Sequence, residues 1–266
     1  MAMSLTAEGT GVDKAAVFFV APDGRDSNAG TREAPFATLV RARDAARQLG
    51  TSQVRRIIVR GGSYYGVSLL LDAQDSGLAI VAAPGEKPML YGGRQVTEWK
   101  NDGDKFYAAK LPGVTDRAWD FRSLVVNEQL RPRARLPKTG VFTHLTRFDA
   151  PWHTTVGGGF RGADKPELKL NLQYRQGDLG AWLDVNNAEL TIFHEWDDSL
   201  VGLKSHDPDT RTLSFSNPSG YPPGAFDVRT YVVWNVREGM HEPGQWNLDR
   251  SREFHFPDKL KRTLSL

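Results

Sequence analysis

Ile57-Ile58-Val59 and Leu78-Ala79-Ile80-Val81-Ala82-Ala83 are unbroken apolar runs that start 21 residues apart, and each ends in turn residues, Gly61-Gly62 after the first and Pro84-Gly85 after the second. Short apolar runs without polar alternation read as strands covered on both faces. A repeat of about twenty residues is one coil of a β-solenoid. The first coil of a solenoid leaves a sheet edge and an apolar interior open, which something must cover. The segment ahead of the runs supplies a cover: Thr38 stands as an N-cap, Leu39, Ala42, Ala46 and Leu49 share one helical face, and Gly50 stops the helix. Val17-Phe18-Phe19-Val20 precedes it as a further short strand.

From about Val96 the pattern changes. Leu190, Ile192, His194 and Trp196 alternate with Glu189, Thr191, Phe193 and Glu195, which assigns the first set to a buried face and the second to solvent. One-sided burial is the mark of antiparallel sheet. Leu124–Val126, Thr212–Phe215 and Tyr231–Val236 are further candidate strands, divided by turn segments such as Asn217-Pro218-Ser219-Gly220. The expected fold class is all-β. Its expected segments are a flexible tail at 1–16, an N-terminal cap with the first β-helix coils at 17–96, a β-sandwich at 97–257 and a second tail at 258–266.

Composition excludes several function classes. The chain has 34 basic and 32 acidic residues, so no domain-wide field attracts nucleic acid or an anionic membrane. No apolar run reaches the roughly 18 residues of a membrane helix. The absence of cysteine removes disulfides, thiolate catalysis and cysteine-bound zinc. The first fourteen residues lack the apolar stretch of a signal peptide, so any export signal has been removed or never existed.

The segment Phe18-Phe19-Val20-Ala21-Pro22-Asp23-Gly24-Arg25-Asp26-Ser27-Asn28-Ala29-Gly30-Thr31, followed by Pro35-Phe36-Ala37-Thr38-Leu39, resembles the opening of right-handed parallel β-helix proteins of the pectin-lyase-like superfamily. Arg60-Gly61-Gly62-Ser63-Tyr64-Tyr65, Asp75-Ser76-Gly77, Ala83-Pro84-Gly85-Glu86-Lys87-Pro88 and Tyr91-Gly92-Gly93 resemble its first coils. Arg133-Ala134-Arg135-Leu136-Pro137, His194-Glu195-Trp196 and Glu242-Pro243-Gly244-Gln245-Trp246-Asn247-Leu248-Asp249-Arg250 are similar to a β-sandwich inserted in the β-helix of bacterial glycoside hydrolases, families that include β-xylosidases and relatives active on fucosides or xylan. The resemblance spans residues 17 to 257 and implies a polysaccharide or oligosaccharide partner and an extracellular or periplasmic location. In such enzymes the catalytic carboxylates lie on later coils, and nothing here matches them. The expectation is therefore the front part of a larger enzyme, or a truncated product, inactive alone and able to self-associate through the open β-helix end. A non-catalytic glycan-binding or adhesion module using Trp152, Trp196 and the arginine face, and a polysaccharide lyase, are the alternatives.

Glycoside hydrolysis needs two carboxyl groups, one with a raised pKa. Glu195, Asp197 and Asp198 form the densest acidic cluster near aromatic residues, yet solvated strand-end carboxylates are the commoner reading. No catalytic residue is assigned. His194-Glu195 and His241-Glu242 fail the H-E-x-x-H zinc pattern, and Asp23, Asp26 and Asn28 lack the E-F hand spacing for calcium, so no metal and no cofactor is expected. Gly157-Gly158-Gly159 lacks the lysine of a phosphate loop.

The candidate substrate-binding residues are Trp152, His153, Arg133 and Arg135. Arg131, Arg133 and Arg135 would share one face of an extended strand, either toward sugar carboxylates or in structural ion pairs. Trp152-His153 sits in a long irregular loop, either stacking on a sugar ring or anchoring the loop.

Overall fold

The computed structural model describes residues 15–102, 106–154, 158–160, 165–251 and 254–257. Among the described residues the chain is mostly β with one α-helix, and it divides into two compact units at Gln95/Val96. Among the described residues no helix is long and apolar enough to cross a membrane. The expected tails fall outside the described residues, apart from residues 15 and 16, where the first strand already begins at Ala16.

The first unit holds β1 (Ala16–Val20), α1 (Leu39–Arg47), β2 (Arg55–Val59), β3 (Gly62–Tyr64), β4 (Leu78–Ala82) and β5 (Pro88–Leu90). β1, β2 and β4 form a parallel sheet in that order, and β3 pairs β5 in parallel. The Thr38 hydroxyl accepts the Arg41 amide at 3.1 Å and so starts α1 where the sequence places its cap. Leu39, Ala42 and Ala45 are buried in one core with Val20, Phe36, Ile57, Val59 and Tyr64, and Ala46 is buried as well. Leu49 is 38% exposed, because the helix stops at Arg47 and Leu49 lies beyond its cap. Asp26 and Asn28 tie the turn ahead of α1: the Asp26 carboxylate accepts the Ala37 and Thr38 amides, both at 2.9 Å, and the Asn28 amide donates to Pro35 O. Gly30, at φ +76°, leaves room for the Phe36 ring, which a Cβ there would meet at 2.3 Å.

The spacing of the two apolar runs misjudges the pairing. Ile57 faces Ile80 and Arg55 faces Leu78, so the strands advance by 23 residues, two more than the runs suggest. The apolar run starts at Ile57, but the strand starts at Arg55. That arginine is fully buried, its guanidinium donating to Gln74 O at 3.0 Å and Ser76 O at 2.6 Å. β4 is also less covered than its composition implies, with Val81 41% exposed, because it lies at the edge of the sheet.

The second unit is mainly antiparallel. In chain order it contains β6 (Lys100–Asp102), β7 (Phe106–Ala109), β8 (Leu124–Val126), β9 (Gln129–Arg131), β10 (Arg135–Leu136), β11 (Phe142–Thr143), β12 (Trp152–His153), β13 (Gly159–Phe160), β14 (Asn171–Gln173), β15 (Glu189–Phe193), β16 (Asp198–Asp207), β17 (Thr212–Phe215), β18 (Thr230–Trp234), β19 (Asn247–Leu248) and β20 (Phe254–Pro257). The main sheet runs β10-β18-β15-β16-β17-β14, with β11 also on β18. Leu172, Leu190, Ile192, Val201, Leu213, Tyr231 and Val233 project into one core from its strands. A second sheet runs β19-β20-β7-β6, and Trp246 and Leu248 anchor a second core with Leu124, Val126 and Val114. Parallel ladders between strands are confined to the first unit and the second unit's ladders are antiparallel, the division that the sequence pattern sets near Val96, but three parallel strands and one further parallel pair do not by themselves make the β-helix of the expectation.

Ile57 is fully buried and its neighbour Arg56 is exposed. Ile57→Ala is expected to destabilise the protein by about 2–5 kcal/mol through lost burial and the cavity left behind, and Arg56→Ala to stay within about 0.5 kcal/mol. Urea unfolding of the two variants beside the wild type checks both.

Candidate functional site

Glu189 opens β15, where alternation assigns it to solvent. The structure buries it at 4% exposure. Its carboxylate accepts from Arg133 Nη1 at 2.6 Å, Arg250 Nη2 at 2.5 Å and Arg122 Nε at 3.1 Å. Arg250 also donates to Asp120 at 2.8 Å and to Asn187 O at 2.8 Å. Burial pushes the Glu189 carboxyl up, but hydrogen bonds and charge from Arg133 and Arg122 overcome it and hold the group at about 2. Beside it Asn235 is fully buried: its amide donates to Asn187 O and Leu248 O, both at 2.8 Å, and its oxygen accepts the Leu248 amide at 2.6 Å.

The three arginines expected on one face have separate surroundings. Arg133 pairs with Glu189 and lies 5.7 Å from the Trp246 ring. Arg135 donates to the carbonyls of Pro137 and Gly140 and lies over Trp234 at 5.2 Å. Arg131 donates to Val126 O and, through its own carbonyl, accepts the Trp246 indole N–H at 3.1 Å. These arginines therefore join segments of the second unit, and the ion pair of Arg133 is with that unit's own Glu189.

Trp152 and His153 form β12, a two-residue strand paired with β13: Trp152 faces Phe160 and His153 faces Gly159. Trp152 is half-buried at the centre of a ring cluster, with centroids 4.9 Å from Phe160, 5.5 Å from Phe226, 5.7 Å from Trp196 and 6.0 Å from Tyr221. Gly158, at φ +59°, gives it space, since a Cβ there would stand 2.7 Å from the indole. Gly157 lies outside the described residues. Phe226 and Asp227 are consecutive non-glycine residues at φ +59°, a left-handed conformation that is costly for a bulky ring. That turn sets Phe226 4.7 Å from Trp196 and 5.2 Å from Phe160.

Trp196 departs furthest from the sequence reading. Alternation places it inside with Ile192 and His194, but β15 ends at Phe193, and His194 to Asp197 make the turn into β16, closed by the His194 amide on Asp197 O at 2.9 Å. Trp196 at the tip is 61% exposed. His194 is buried, its Nε2 2.9 Å from Ser199 Oγ and its ring 5.6 Å from Tyr221. His144 is fully buried in the same unit, and burial lowers it to about 4 against the opposing pull of the Thr146 backbone. The aromatic cluster offers an exposed indole with Glu195, Asp197 and Asp198 in solvent beside it.

Glu189 does not meet the needs of a glycosidase acid. Glu189 stays ionised and is taken up by three guanidinium groups. Asp178 is the carboxyl, among the described residues, that burial raises, and it accepts the Tyr231 hydroxyl at 3.0 Å. In the first unit a cleft of about 280 Å³ is lined by residues that include Thr38, Val40, Ser63, Tyr65 and Ser68.

Glu189, Arg122, Arg250, His144, Tyr221 and Phe226 escape a reading of the sequence. Glu189 and Arg250 each stand within a quoted pattern, but as an outward strand position and the end of a motif, and no local signal pairs them.

No protein-family model matches the chain, and no curated protein matches it. Among solved structures, one described as a glycoside hydrolase is 21% identical with a TM-score of 0.65, over 93% of this chain and 44% of that one. A complex of XylC with xylose is 18% identical with a TM-score of 0.31, over 88% of this chain and 33% of that one. The first match shows a shared fold, and this chain spans less than half of that protein's length.

Glu189→Gln leaves Arg133 buried without its charged acceptor and Arg250 with Asp120 alone, and is expected to cost about 3–5 kcal/mol. Both depressed groups stabilise the fold above their ordinary pKa values. Wild-type stability should therefore fall first as pH drops from about 6.5 to 4, where His144 charges in the unfolded chain. It should fall further from about 4.3 toward 2 with Glu189 and with Asp75, which Arg47 holds at about 2, and the variant should show a smaller second loss because Asp75 still contributes its part. Urea midpoints measured against pH for both proteins check the two windows.

Proposed function

We propose that this chain is the N-terminal portion of a carbohydrate-active, glycoside hydrolase-like protein, exported to the periplasm or cell exterior. In this reading the first unit is the start of a right-handed parallel β-helix capped by α1, and the second is a β-sandwich. The observation that carries the reading is the fold shared with a glycoside hydrolase over 93% of the chain. Two features agree with it. The β2–β4 and β3–β5 ladders both advance in parallel, as successive turns of one coil would, and α1 covers the apolar side of β1 and β2.

The reading puts the acid and base carboxylates on coils that these residues do not include. Glu189 is held ionised by arginines and Asp178 is engaged by a tyrosine, so neither is free to protonate a leaving oxygen. The second unit would then present a wall to the substrate, with Trp152 and His153 near the sugar and Arg133 and Arg135 keeping that wall in place.

Aryl xylosides, aryl fucosides and xylo-oligosaccharides test this. The expected result is oligosaccharide binding without release of the aryl group by this chain. Aryl release at enzymatic rates would contradict the placement of the carboxylates. Unsaturated uronides absorbing in the ultraviolet would make the protein a lyase, and neither binding nor turnover on any glycan would remove the carbohydrate reading.

A further inference from the structure

We propose that Trp196, at the tip of the β15–β16 hairpin, is a glycan-binding platform that receives the apolar face of an uncharged pyranose residue, with the carboxylates of Asp197 and Asp227 accepting its hydroxyls. The proposal rests on the carbohydrate reading above and gives it a site.

An indole 61% exposed leaves a large apolar area in water. A mobile tip residue would lose rotamer freedom on binding, but Trp196 is already held: Phe226 packs on it at 4.7 Å and 70°, Trp152 at 5.7 Å and Tyr221 at 6.1 Å. Rings fixed before the ligand arrives lower the cost of binding. The second observation is the backbone strain behind the cluster. Phe226 and Asp227 are both at φ +59°, and residues kept in such conformations concentrate at ligand sites. This pair does two things at once, pressing the Phe226 ring against Trp196 and setting Asp227 outward with its side chain 78% exposed. Arg229 Nε, 3.0 Å from the Asp227 carboxylate, holds that group in place.

Charge selects the class of ligand. Asp197 lies on the Tyr221 side, its Oδ2 3.8 Å from where a Cβ on Gly220 would stand, and Asp227 lies on the Phe226 side. Carboxylates near an apolar ring accept hydroxyl protons, and Asp197 with its exposed neighbours Glu195 and Asp198 disfavours uronates and phosphates, Asp227 being balanced by Arg229. A flat apolar face ringed by hydroxyls is the surface of a neutral pyranose, and an aromatic wall with a few placed polar groups is how small-molecule sites are built.

The test uses xylohexaose and cellohexaose as neutral probes and hexagalacturonate as the anionic one, followed by calorimetry and tryptophan fluorescence. Trp196→Ala is compared with Trp182→Ala, an indole 43% exposed that serves as the control. Both variants change exposed side chains, and their thermal unfolding is recorded to show that the fold is kept. The expected result is binding of a neutral hexasaccharide that Trp196→Ala weakens by about tenfold or more, as loss of an aromatic anchor does. Trp182→Ala should bind as the wild type does, and hexagalacturonate should bind more weakly than the neutral probes. If a neutral hexasaccharide binds and Trp196→Ala binds it as tightly, the platform is wrong while the carbohydrate reading stands. If hexagalacturonate is preferred, the assigned ligand class is wrong. If no glycan binds the wild type, the platform and the carbohydrate reading both fall.

Discussion

The buried carboxylate of Glu189 is the contact on which the second unit depends. It accepts from Arg122, Arg133 and Arg250, three residues from well-separated segments, and Arg250 extends the network to Asp120. Burying this much charge carries a large desolvation penalty, offset only when the geometry is good and the remaining donors are satisfied. Arg250 meets that condition through the carbonyl of Asn187, whereas Arg133, 5.7 Å from the Trp246 ring, keeps its Nε and Nη2 buried without a hydrogen-bond partner. The adjacent amide of Asn235 ties the Asn187 and Leu248 backbones together. The stretch from Gln245 to Arg250 is therefore structural throughout: Trp246 and Leu248 fill the second core, and Arg250 completes the ion network.

The same constraint bears on function. A glutamate held at about 2 by guanidinium groups cannot donate a proton near neutrality. The arginines that a sequence reading offers to sugar carboxylates are occupied by protein groups instead. The described residues carry instead an exposed aromatic surface, assembled from the β12–β13 hairpin, the β15–β16 turn and the strained Phe226–Asp227 turn. Each of those elements is short, and their rings hold one another.

The elements set by local pattern were legible in the sequence. The Thr38 cap, the small apolar face of α1 and the strands β1, β2 and β4 follow from residue order, because a helix period and an apolar run are local properties. The pairing offset was not, since a buried arginine at position 55 hides two residues of strand behind a polar name. Glu189 and Trp196 were misread for opposite reasons. Alternation assigns a face only while a strand continues and only one side is covered, yet Glu189 is covered by arginines from distant segments and Trp196 lies beyond the end of β15. The ring cluster joins residues from 148 to 226, a juxtaposition that no spacing announces.

A crystal structure of the protein with bound xylohexaose addresses the account most directly, because it locates the sugar without reference to any variant. The account predicts a pyranose ring lying parallel to the Trp196 indole, with hydroxyls on Asp197 and Asp227. A hexasaccharide held in the first-unit cleft beside Thr38 and Tyr65, with Trp196 bare, would contradict it.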